Sequence, residues 1–187
     1  MHAFDVALQH VPPGAARGLD VGCGEGETAR RLRQRVGSVV GLDPHEPSVL
    51  EARSYGDDIT YVLGDIETTD LPNASFDVVT AVAMLHHVEH RRGLKRLSEF
   101  VAPGGTLLVV GFGFSVRLAD HARDVRDAIA IRRHTFTKRE WHTTAPIVWP
   151  PPLNHDEVRA VSAETLPGCE VRRVPFFRYL LVWTRPT

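Results

Sequence analysis

The chain has few cysteines, no long apolar run and almost no net charge, and each shortage removes a class of protein. Of its 187 residues only 2 are cysteine, Cys23 in a glycine-rich loop and Cys169 after a Pro-Gly turn. Two distant thiols make neither a disulfide framework nor a cysteine-ligated zinc site. No apolar stretch approaches the roughly 20 residues of a membrane-spanning helix. The opening Met1-His2-Ala3-Phe4-Asp5 lacks the basic start and apolar core of a secretory signal, so a cytoplasmic protein is expected. A formal net charge of -1 creates no global field toward nucleic acid or an acidic membrane, and neither partner is expected. What is present is apolar material: at 43% hydrophobic residues the chain can fill one core, so residues 1–187 are expected to form a single domain.

Short apolar runs alternate with amphipathic segments, the pattern of β-α units around a parallel sheet. The expected fold class is α/β: a doubly wound, mostly parallel seven-stranded sheet with an antiparallel C-terminal strand and helices on both faces. Strands are expected at Arg17–Val21, Ser38–Asp43, 59–64, Phe76–Val82 and 106–111, followed by the antiparallel pair Glu170–Val174 and Arg178–Thr184. Helices are expected after Gly26 (Ala29, Leu32, Val36), over Glu46–Ser54, through Leu94, Leu97 and Val101, and over 115–133. Pro103-Gly104-Gly105 should break the third of these and turn into the fifth strand. Four prolines around Trp149 predict an extended loop, and Asn154 or Asp156 should cap a last helix through Leu166.

The most informative segment is Leu19-Asp20-Val21-Gly22-Cys23-Gly24-Glu25-Gly26-Glu27. Its glycines let the chain turn sharply after a strand and let a ligand lie against the backbone. Its carboxylates would repel a pyrophosphate and attract a cation. Asp43, ending the second strand, stands where a nucleotide fold places an acceptor for ribose hydroxyls, with Pro44 and His45 beside the base. These residues, together with Gly64-Asp65-Ile66-Glu67, the Phe76-Asp77-Val78-Val79 and Leu85-His86-His87-Val88 segments and Pro103-Gly104-Gly105, resemble the Rossmann-like class I S-adenosylmethionine-dependent methyltransferases. The resemblance spans about residues 17–112 and implies that this part binds S-adenosyl-L-methionine, leaving 113–187 for the acceptor side. It implies cofactor contacts from Asp20, Gly22, Cys23, Gly24, Gly26, Asp43 and Pro44. Asp65 and Ile66 would meet the adenine, and carbonyls near Ala81 or Val82 the methionine ammonium.

Methyl transfer from a sulfonium is an in-line displacement, which needs orientation more than a reacting side chain. A hydroxyl or amine acceptor must also lose a proton, and His86 and His87 follow the fourth strand at the ligand-binding edge. His86 is the preferred general base; the alternative is that both histidines are structural. His86, Glu89 and His90 invite a metal reading, but the familiar zinc helix places Glu directly after its first His, so no metal is expected. Cys23 is either a reactive thiol or a small filler of a tight turn. Trp141, His142, Trp149 and the proline loop either cover the acceptor or pack a helix, and Phe176, Phe177, Arg178 and Tyr179 form either an aromatic wall or edge packing. After the fourth strand the chain reads Thr80-Ala81-Val82-Ala83 in place of the Asn/Asp-Pro-Pro-aromatic element of base methyltransferases. A small-molecule acceptor, methylated on oxygen, nitrogen or carbon, is therefore expected. Two competing readings are a non-catalytic cofactor-binding module and, disfavoured by Asp20 and Glu25, an NAD-linked oxidoreductase.

Overall fold

A computed structural model describes residues 3–56, 58–114, 151–175 and 177–187. Strands β1 (Arg17–Val21), β2 (Ser38–Asp43), β3 (Thr60–Leu63), β4 (Phe76–Val82), β5 (Val101–Phe112), β6 (Glu170–Val174) and β7 (Arg178–Thr184) form one sheet in the order β3-β2-β1-β4-β5-β7-β6. β1 to β5 run parallel, and β7 is antiparallel to both β5 and β6. This is the expected mixed sheet. The chain winds outward from β1 through β2 and β3, then returns to place β4 on the other side of β1. The order reverses there, and beyond the carboxyl ends of strands at such a reversal open α/β sheets form their ligand crevice.

Alternation along the strands sends side chains to two cores. On one face Leu108, Val110 and Leu180 meet α2 (Glu27–Arg33) and α3 (Glu46–Ser54) through Ala29, Leu32, Val49 and Ala52. The same core takes Ala7 and Leu8 from α1 (Ala3–Ala7) and the turn after it. On the other face Leu107, Val109 and Leu181 meet Leu94, Leu97 and Phe100 of α4 (His90–Phe100) and Val158 of α5 (His155–Thr165). Asn154 is the residue that caps α5: its side chain accepts from the Asp156 and Glu157 amides, and Glu157 accepts in return from the Asn154 amide at 2.8 Å.

Three local expectations need correction. Val101 belongs to β5 and not to the preceding helix, which ends at Phe100. Pro103-Gly104-Gly105 lies within that strand as an irregularity, where the β4–β5 register jumps and Gly104 takes a φ of 75°. Arg185 holds it there, since the Gly104 amide donates to the Arg185 carbonyl at 2.9 Å and the Arg185 guanidinium donates to the Val101 carbonyl at 2.7 Å. Helix α2 stops at Arg33, short of Val36, and α1 was not expected at all: its five residues are too few for a periodic pattern. The helix expected over 115–133, Trp141, His142, Trp149 and Phe176 fall outside the described residues.

Candidate active site

The glycine turn is built by its own backbone. The Gly22 and Cys23 amides both donate to the Leu42 carbonyl, at 2.8 and 3.1 Å, and the Gly26 amide donates to the Cys23 carbonyl at 2.9 Å. Gly22, Gly24 and Gly26 all take positive φ, at 72°, 51° and 81°. Their surroundings differ. A Cβ on Gly22 would lie 2.6 Å from the Met84 Cβ, and one on Gly26 would overlap the Tyr61 ring. A Cβ on Gly24 meets no atom of the described residues within 4 Å. Gly24 is thus the open rung of the turn, where a ligand can approach the main chain.

Asp43 closes the turn from β2. One carboxylate oxygen accepts from the Gly24 amide and the other from the His45 amide, each at 2.8 Å. Two backbone bonds fix this carboxylate at the rim of the crevice, with Pro44 exposed beside it and the His45 Nδ1 2.9 Å from the Ser48 hydroxyl. The geometry fits a sugar edge: the carboxylate is already oriented, and the chain around it is open above Gly24.

Two other acidic groups of the loop already have partners within the fold. Glu27 pairs with Arg31 at 2.6 Å, and Arg31 also holds Asp5 at 2.8 Å. Asp20 is fully buried and accepts from the Thr80 hydroxyl at 2.7 Å, while its second oxygen has no well-formed hydrogen bond among the described residues and feels only the nearby Ala29 amide. Burial pushes its pKa up to about 7 against the lowering effect of the Thr80 hydroxyl, and the charge of Asp43 adds to the rise. An unpaired buried carboxylate oxygen at the end of β1 is an acceptor waiting for a donor, and this suits an ammonium-bearing ligand. Cys23 has both backbone groups engaged within the turn, and its buried thiol is pushed up in pKa by desolvation first and by Asp20 and Asp43 next. Such a thiol is inert packing against Gly41.

Asp65 and Ile66 follow β3. The Asp65 carboxylate accepts from the Glu67 amide at 2.7 Å and is otherwise exposed, whereas the Ile66 side chain is buried. Arg96, to which the sequence reading gave no role, anchors this corner by donating to the Ile66 carbonyl at 3.1 Å and the Thr69 carbonyl at 3.3 Å. Asp77 went unassigned as well, and it pins the start of β1 through the Ala16 and Arg17 amides at 2.7 and 2.9 Å.

Ala81 is fully buried at the end of β4, and Val82 is partly exposed beside it. Ala83 then takes a φ of 54°, a left-handed conformation costly for a residue with a Cβ, and its amide donates to the Val110 carbonyl at 2.7 Å. This forced turn leads into the 3-10 turn Leu85–His87. The His86 and His87 rings sit 4.0 Å apart, and the His86 ring meets Phe112 edge-on at 5.6 Å. Desolvation, followed by the neighbouring His87, lowers the His86 pKa to about 4, so the imidazole is neutral at physiological pH. Its Nδ1 is buried without a partner among the described residues.

The Glu89 carboxylate caps α4 by accepting from the Arg91 and Arg92 amides, at 3.0 and 2.7 Å. The His90 ring is buried near Tyr179, at 6.3 Å. The three residues weighed as metal ligands thus point to different tasks. Among the described residues no group of three or more His, Cys, Asp or Glu side chains is gathered to hold an ion. Nor is any described helix long and apolar enough to cross a membrane.

The chain matches the family described as "Methyltransferase domain" over residues 19–109. It is 39% identical over 179 residues to an uncharacterized methyltransferase of Mycobacterium tuberculosis, covering 94% of this chain and 90% of that protein. Its fold is similar to that of an S-adenosylmethionine dependent methyltransferase from Mesorhizobium loti, with TM-score 0.65 and 19% identity over 98% of this chain and 96% of that one. It is also similar to phosphoethanolamine N-methyltransferase 2 of Haemonchus contortus in complex with S-adenosyl-L-methionine, with TM-score 0.71 and 15% identity over 98% and 52% of the two chains.

Proposed function

The chain belongs to the class I S-adenosylmethionine-dependent methyltransferases, and from that membership we propose that it methylates an oxygen, nitrogen or carbon nucleophile of a small molecule, with His86 as the proton acceptor. The observation that supports this most is the Gly24–Asp43 pair, set at the same sheet edge as His86. Bound S-adenosyl-L-methionine supplies an electrophilic methyl on a sulfonium, which an in-line nucleophile displaces to leave S-adenosyl-L-homocysteine.

The residues around that methyl bind and orient. Asp43 accepts from the ribose hydroxyls, and Gly22, Gly24 and Gly26 let the ligand lie on the backbone. Pro44, Asp65 and Ile66 enclose the adenine. The unpaired Asp20 oxygen and the carbonyls of Ala81 and Val82 accept from the ammonium, while Cys23 serves by holding the turn. An acceptor hydroxyl or amine loses its proton to the His86 imidazole, which is kept neutral by burial. His87, exposed beside it, orients the His86 ring through a tilted ring contact. No role for a metal is needed, and the whole chain acts as one domain.

The test is incubation with S-adenosyl-L-methionine and a panel of small phenols, amines and activated carbon acids, followed by mass spectrometry. Methylated product with stoichiometric S-adenosyl-L-homocysteine is expected. Tight cofactor binding with no product across the panel would favour a non-catalytic module instead.

A further inference from the structure

Arg178 opens β7 opposite Phe112, the last residue of β5. Its guanidinium lies over the Phe112 ring at 5.2 Å from the centroid, and the same ring meets His86 at 5.6 Å. Phe112 is therefore shared between the proposed proton acceptor and a cation, along one sheet edge. Backbone strain gathers there too. Of three non-glycine residues with positive φ among the described residues, Ala83 precedes the histidine turn and Phe177, at 55°, precedes Arg178. Both are tied to the end of β5, by the Ala83 amide to the Val110 carbonyl and by the Gly113 amide to the Phe177 carbonyl at 2.9 Å. Strained residues held by surrounding structure are characteristic of functional sites.

Among the described residues the cation itself lacks an anion. Among the described residues no carboxylate pairs with Arg178 and no carbonyl accepts from its guanidinium, although burial is sufficient to lower its pKa. Arg30 and Arg96 also lie over aromatic rings, but Arg30 donates to the Glu25 carbonyl and Arg96 to the Ile66 and Thr69 carbonyls. A ring face attracts a guanidinium without engaging its N–H donors. A planar cation with unused donors in a partly desolvated place is suited to a bidentate oxyanion.

We infer that Arg178 binds an anionic oxygen group, a carboxylate or phosphate, on the methyl acceptor, holding that group along the sheet edge past Phe112 while the reacting atom lies toward His86. The inference rests on the methyltransferase reading of the same site. It makes the acceptor an acid, and it separates recognition at Arg178 from proton transfer at His86.

The experiment titrates hydroxybenzoates and hydroxycinnamates, each against its uncharged primary amide, and inorganic phosphate, into protein saturated with S-adenosyl-L-homocysteine. In wild-type protein at least one acid should bind about tenfold or more tighter than its amide. Arg178→Met should bring that ratio to about one, Arg178→Lys should retain part of it, and both should keep wild-type affinity for S-adenosyl-L-homocysteine. Phosphate that displaces the acids in an Arg178-dependent way supports the inference and assigns a phosphate-bearing acceptor. Acids no tighter than amides in wild-type protein, or discrimination that survives both variants, overturn it. The separate titration of S-adenosyl-L-homocysteine reads the cofactor site alone, so failure of the methyltransferase reading would show there and not in the acid-to-amide ratio.

Discussion

The buried Asp20 carboxylate accepts a hydrogen bond from the Thr80 hydroxyl at 2.7 Å, joining β1 to β4 where the two strands are in register. It places a polar pair inside an otherwise apolar pair of central strands, immediately behind the glycine turn. Thr80→Val keeps the shape and removes the donor. Folding stability at neutral pH should fall by about 1–3 kcal/mol, read by chemical denaturation.

The same carboxylate should shape the pH dependence of stability. Its pKa is raised to about 7 in the fold against 3.8 for an ordinary Asp, so between these values the folded state holds the proton that the unfolded state has lost. This contribution to stability is full below pH 3.8, falls as pH rises and is gone above about pH 7. Asp20→Asn should remove that decline, measured by denaturation of the cofactor-free protein across the window.

Three glycines in one turn should respond differently to substitution. Gly22→Ala and Gly26→Ala meet Met84 and Tyr61, and should lower stability as well as cofactor affinity. Gly24→Ala meets no atom of the described residues, so only its backbone strain of about 1–2 kcal/mol should reach stability. Affinity for S-adenosyl-L-homocysteine should nevertheless fall about tenfold or more, because the added methyl fills the open rung. Paired melting and calorimetry on the three variants separate the two effects.

For His86 the sign runs the other way from Asp20. A pKa lowered from 6.5 to about 4 means that stability is full above pH 6.5 and is lost as pH falls toward 4. In catalysis the acid limb of kcat/KM should lie near pH 4 rather than 6.5. With an acceptor in hand, His86→Ala should lower kcat/KM by about a hundredfold and abolish that limb, and His87→Ala should do less. Wild-type rates in both variants would remove the proton-acceptor role.

The sheet was legible because its strands are apolar runs with turn signals between them, and β4 could be placed at the centre from Phe76–Val82 alone. The place of Asp43 was legible too, at the end of a strand soon after a glycine loop, and its bond from the Gly24 amide ties it to that loop. How the loop's own carboxylates are engaged was not legible. Only tertiary structure shows that Glu27 turns to Arg31 and that Asp20 is buried against Thr80, a polar residue whose presence in an apolar strand was the available signal. Phe112 and Arg178 are distant in sequence, and nothing short of the β5–β7 register brings them together with His86. The irregularity at Gly104 was hidden because proline and glycine signal a turn equally well when they interrupt a strand.

The central claim is that the glycine turn and Asp43 hold the methyl donor. Calorimetric titration of S-adenosyl-L-homocysteine into wild-type and Asp43→Ala protein tests it most directly. Saturable binding that weakens roughly ten- to a hundredfold in the variant is the predicted result, as loss of charge-assisted bonds implies. No binding to the wild-type protein, or equal binding to both, would contradict it.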